Sequence, residues 1–79
     1  MVTVHRAFGF RFVVFTNDHS PPHIHVLGPD GEAKIVLKEP AGVEVEWVVG
    51  IGRADMRRIL QEAEHEPARL MAKWRAIHG

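Results

Sequence analysis

A chain of 79 residues has room for one small core, which excludes a two-lobed enzyme with a cofactor cleft between domains; a single domain over 1–79 is expected. Ten Lys and Arg balance ten Asp and Glu, which excludes a polybasic nucleic-acid binder, and the absence of cysteine excludes a disulfide framework. In so small a chain, burial and chain ordering nearly cancel, so extra stabilisation from a partner chain or a homo-oligomer is expected.

Residues 2–6 are compatible with a strand, Gly9 offers a bend, and Phe10 to Thr16 is rich in strand formers, which together predict a hairpin. Asn17 to Pro22 is a turn cluster: Asn and Asp bond their own backbone and proline fixes φ. His23 to Gly28 follows, then the turn Pro29 to Glu32 and a further run from Ala33 to Lys38, with Asp30-Gly31 as the hairpin signal. Ala33, Ile35 and Leu37 alternate with polar or outward positions, and so do Val43, Val45, Trp47 and Val49; a period of two predicts one buried face.

From Arg53 the period changes to that of a helix, with Met56, Ile59, Leu60 and Ala63 forming one apolar stripe. Gly52 serves as its N-cap and Asp55 suits its first turn. Pro67 belongs at the first position of a second helix, which presents Leu70, Met71, Trp74 and Ile77. The pattern predicts an α+β fold: an antiparallel sheet of four or five strands followed by two C-terminal helices packed on one face. Trp47 and Trp74 fall on apolar stripes and are expected in the core. The longest apolar stretch, Phe12 to Phe15, is far short of the ~20 residues of a membrane span, and Arg6 and Arg11 interrupt any signal-peptide core. No membrane association and a cytoplasmic location are expected.

The constellation that could carry chemistry is Asn17-Asp18-His19-Ser20-Pro21-Pro22-His23-Ile24-His25-Val26. Alternation in a strand sends His23 and His25 to one face, about 6.6 Å apart along the chain, and Ile24 and Val26 to the core. Both imidazoles are therefore expected on the open face, partly accessible, with His19 near them. Three readings follow. His23 and His25 with His19 or Asp18 could bind zinc or another divalent metal, since three protein ligands leave a catalytic position open. Alternatively His23 could act as general base on an RNA 2′-hydroxyl, with Arg or Lys stabilising the phosphorane and no cofactor. Or the segment could be a stiff turn whose histidines bond the turn or contact a partner. Arg53, Arg57 and Arg58 could touch phosphates, although the glutamates Glu62, Glu64 and Glu66 that follow point to a solvated helix face.

Gly9-Phe10-Arg11-Phe12, the string from Phe15 through Asn17-Asp18-His19 and Pro21-Pro22-His23-Ile24-His25-Val26, and Ala33-Lys34-Ile35 together resemble the bacterial domain-of-unknown-function family numbered 4160. That resemblance implies a small prokaryotic protein encoded beside a second small protein, the arrangement of a toxin–antitoxin module, and brings no established catalytic residues. The order of elements is also similar, more weakly, to the HicA messenger-RNA interferase toxins, which have a single functional histidine; there it follows Gly-Ser, here Pro-Pro. The resulting expectation is a toxin-like partner in a two-gene toxin–antitoxin-like module, a metal-independent ribonuclease with His23 and His25 as catalytic residues and Asp18, His19 and Asn17 in support. The alternative is a non-catalytic interaction domain whose histidine face docks the neighbouring gene's product.

Overall fold

Short turns make each strand the neighbour of the next. In the computed structural model, which describes residues 1–17, 19, 21–38 and 41–78, the strands β1 (Val2–Ala7), β2 (Phe10–Val14), β3 (His23–Leu27), β4 (Glu32–Leu37) and β5 (Val43–Val49) form one antiparallel sheet in the order β1-β2-β3-β4-β5. The helices α1 (Arg53–His65) and α2 (Pro67–His78) follow. The expected α+β architecture is the observed one.

Ala7 pairs with Phe10 across a two-residue turn, Phe8-Gly9, in which both residues have positive φ, 55° and 80°. That combination matches the right-handed twist of the flanking strands. Gly9 adopts it freely, whereas Phe8, half-exposed and bulky, is strained there. At the same end of the sheet Gly31 lies so close to the backbone of Val49 and Gly50 that a Cβ would collide with it.

One face of the sheet is sealed. Phe12, Val14, Ile24, Val26, Ala33 and Ile35 are fully buried there with Ile59 and Ala63 of α1 and Leu70, Met71 and Trp74 of α2. Each large side chain so buried contributes roughly 1.5–3 kcal/mol from its removal from water. The break between helices falls as expected: Glu66 leaves helical geometry and its carbonyl accepts the Leu70 N–H at 3.1 Å, with Pro67 opening α2. Gly52 caps α1 without a side-chain hydrogen bond. Neither helix is long and apolar enough to cross a membrane.

Three core expectations are corrected. Trp47 is 38% exposed and lies on the face away from the helices. The register explains it: Ile35 pairs with Val45 but Lys34 pairs with Trp47, so Glu46 is an extra residue in a β-bulge and everything after it changes face. Val45 and Leu60 are only half-buried. Met71, with Leu70 and Trp74, is part of the core.

Candidate functional site

The helix-free face of the sheet is read row by row across the strands. In one row Val13 lies opposite His25, His25 opposite Lys34, and Lys34 opposite Trp47. In the next, Arg11, Leu27, Glu32 and Val49 are successive cross-strand partners, with Arg6 opposite Arg11 at the β1 side. His23 begins a third row opposite Val36. Alternation along β3 thus sends both histidines to this face and Ile24 and Val26 to the core, as the sequence predicts.

The two imidazoles are not equivalent. His23 is only 4% exposed, which corrects the expectation that both rings are accessible. Its Nδ1–H donates to the Pro21 carbonyl at 2.8 Å, because the bend of the proline segment brings that oxygen back over the strand. His25 keeps 13% of its side chain exposed, and its Nδ1–H donates to the Glu32 carboxylate at 3.3 Å, a long bond to a diagonal neighbour on the adjacent strand. A carbonyl or carboxylate at Nδ1 leaves the basic lone pair of a neutral ring on Nε2. His25 sits at the centre of an aromatic group, edge-on to Phe15 at 4.6 Å, His23 at 5.2 Å and Trp47 at 6.1 Å.

Charged groups frame those rings. Lys34 Nζ donates to Glu46 Oε2 at 2.8 Å. That hydrogen bond holds the Glu46 carboxyl below its ordinary value; desolvation opposes it, while the charges of Lys34, His23 and His25 add to it. Beside this pair an open groove of about 650 Å³ is lined by Arg11, Leu27, Glu32, Trp47 and Val49. Arg11 supplies the cation and Trp47 the exposed ring.

Among the other predicted site residues, Asn17 and His19 are exposed on the loop before β3, and neither makes a hydrogen bond or ring contact among the described residues. Asp18 lies outside the described residues. No group of three or more His, Cys, Asp or Glu side chains among the described residues is placed to hold a metal, so His19 does not complete a ligand set with His23 and His25. Arg53, Arg57 and Arg58 belong to α1 on the opposite side of the sheet, so they cannot serve the histidine face. The sequence reading missed Glu32, Lys34 and Glu46: alternation puts Glu32 and Lys34 on one face of β4, but their placement beside His25 depends on the register of β3 with β4, and that of Glu46 on the bulge in β5.

A third histidine has a structural role. His5, on the helix side, donates Nε2–H to Glu62 at 2.8 Å and accepts at Nδ1 from Arg69 at 3.1 Å, tying β1 to both helices. Arg69 also donates to Glu66 at 3.0 Å.

Residues 9–75 match the sequence profile of a domain of unknown function, DUF4160, and so include β2 to β5 with both histidines, all of α1 and most of α2. The chain belongs to the DUF4160 family. No curated protein and no solved structure matches it. In this DUF4160 chain the profile therefore covers the whole helix-free face apart from β1, including His23 and His25.

Proposed function

We propose that the helix-free face acts on RNA through His25, and that the protein is the toxin-like component of a two-gene toxin–antitoxin-like module, partnered by the small protein of the adjacent gene. The observation that carries this reading is the Glu32–His25 pair: a carboxylate at Nδ1 orients the more accessible imidazole and leaves Nε2 as a base, the arrangement general-base catalysis needs. Lys34 and Trp47 continue the same row, and Arg11 stands one row away, so a cation and a stacking ring accompany the base.

In this reaction His25 Nε2 takes the proton of an RNA 2′-hydroxyl as that oxygen bonds to the adjacent phosphorus. Lys34 or Arg11 offsets the charge of the phosphorane. The bond to the 5′-oxygen then breaks, and the imidazolium returns its proton to that leaving oxygen through water, giving a 2′,3′-cyclic phosphate and a 5′-hydroxyl. His23, buried behind His25 and bonded to Pro21, is a positioning residue in this scheme. Asn17, Asp18 and His19, which precede β3 in the chain, are assigned supporting contacts to substrate rather than to the reacting atoms.

The same burial of His23 favours a second reading, a docking face without chemistry for the neighbouring gene's product. Expression of the chain alone and with its genomic neighbour separates them. The catalytic reading predicts growth arrest by the chain alone, relieved by the neighbour and abolished by His25→Ala. Docking without chemistry predicts no arrest, with His25→Ala weakening the complex.

A further inference from the structure

The side of the sheet away from β1 ends on β5, and among the described residues no strand pairs with its outer edge. An edge strand offers unpaired N–H and C=O groups to any extended chain that lies alongside. β1, the opposite edge, is blunted by a bulge at Val4, by the exposed Arg6 and by the tie of His5 to both helices. β5 instead exposes apolar side chains on both faces, with Val48 at 41% and Val49 at 68%.

Below that edge, on the helix side, an open groove of about 440 Å³ runs between β5 and α1, floored by Val45, Val48, Met56 and Leu60. Two guanidiniums, Arg53 and Arg57, stand at its rim. Arg58 is engaged by Asp55 at 3.8 Å, whereas Arg53 and Arg57 are exposed and make no ion pair among the described residues. They lie one helical turn apart, roughly 5–6 Å between Cβ atoms. Glu44 and Glu46 belong to the other face, where Lys38 and Lys34 hold them, so the positive rim of the groove is not neutralised from β5.

We propose that this edge and groove take an extended acidic segment of a partner protein, which adds to β5 as a further strand. The occupant follows from the chemistry of the rim and the spacing of a strand. Residues two apart on a strand share a face, about 6.6 Å from each other, so an apolar side chain can enter the groove while the next carboxylate on that face reaches Arg53 or Arg57. The main chain supplies the affinity and the paired face the selectivity. A second copy of this chain is a poorer occupant, because its Glu44 and Glu46 lie on the other face, held by Lys38 and Lys34, and its own Arg53 and Arg57 would be brought toward those of the first copy. The apolar floor is likewise the wrong surface for a nucleic acid, which needs cations along the groove. This site lies on the opposite side of the sheet from His25, so it stands independently of the chemistry proposed there.

The test is an amide-resolved titration with a synthetic peptide of about eight residues. Its odd positions are isoleucine and glutamate in turn, its even positions threonine; the control carries lysine for glutamate. Shifts confined to the amides of Val45 to Ile51 and the first half of α1 are expected, with the lysine control bound at least about tenfold more weakly. The double variant Arg53→Glu, Arg57→Glu is expected to reverse that preference. Equal binding of both peptides, no binding, or shifts elsewhere overturn the proposal. It also fails if the same amides respond to dilution of the protein alone, which would mean a second copy, or to a short single-stranded RNA.

Discussion

On the helix-covered face, Phe12, Ile24, Val26 and Ile35 are sealed beneath α1 and α2, while the same strands present Arg11, His25, Glu32 and Lys34 on the other side around the rings of Phe15 and Trp47. The first face is held by non-directional burial, in which every methylene counts. The second is held by pairs such as Lys34–Glu46 and Glu32–His25, half-exposed and each worth little to stability. Groups that contribute little to folding yet keep fixed tautomers and neighbours are free to serve recognition and chemistry. The covered face should therefore respond to mutation through stability, and the helix-free face through function.

The largest effect expected is on the covered face. Phe12→Ala is predicted to cost about 3–5 kcal/mol, enough to unfold most of so small a protein at 37 °C. Trp47→Ala on the other face is predicted to cost under about 1 kcal/mol while removing RNA binding. Thermal unfolding by calorimetry measures both, and equal losses would erase the distinction between the faces.

Within the helix-free face the two histidines sharpen the comparison. His23→Ala removes a buried ring together with its hydrogen bond to the Pro21 carbonyl and is predicted to cost about 1–3 kcal/mol. His25→Ala is expected to lower stability much less and to abolish growth arrest. If the stability order of the two variants were reversed, His25 would be the structural residue and His23 the better candidate for chemistry.

The alternation of His23 with Ile24 and of His25 with Val26 made their faces legible in the sequence, as did the helix break at Pro67. The unequal burial of the two rings was not legible, because it depends on where the Pro21 carbonyl lands after the turn. Trp47 was misplaced for a different reason. Val43, Val45, Trp47 and Val49 read as one unbroken period of two, and only the consecutive apolar run Trp47-Val48-Val49 hinted that a bulge shifts the register at Glu46. The Glu32–His25 pair was hidden because it depends on the pairing of β3 with β4.

A smaller effect belongs to the turn that joins β1 and β2, where a bulky residue holds positive φ. Phe8→Asn is predicted to raise stability by about 1 kcal/mol, since asparagine tolerates that geometry. Urea unfolding checks this; a loss instead of a gain would mean that the Phe8 ring makes a compensating contact with the ends of the sheet.

The smallest expected effect is electrostatic. Glu46 should titrate below its ordinary value of 4.5, and Lys34→Gln should move it upward by removing the hydrogen-bonded ammonium. A carboxyl lowered in the folded state stabilises above its unfolded value, and that contribution is lost as pH falls through the folded one. The pair should therefore matter to stability above about pH 4.5 and fade on acidification below it. Carboxyl-carbon NMR titration of wild type and variant reads the shift; an unmoved Glu46 in Lys34→Gln would remove Lys34 as its cause.

RNA cleavage by purified protein in the presence of EDTA tests the central claim most directly, with product ends identified by mass spectrometry and His25→Ala run beside the wild type. The account predicts 2′,3′-cyclic phosphate ends from the wild type and none from His25→Ala at matched folding; absence of cleavage, cleavage that survives in His25→Ala, or activity lost to EDTA would contradict it.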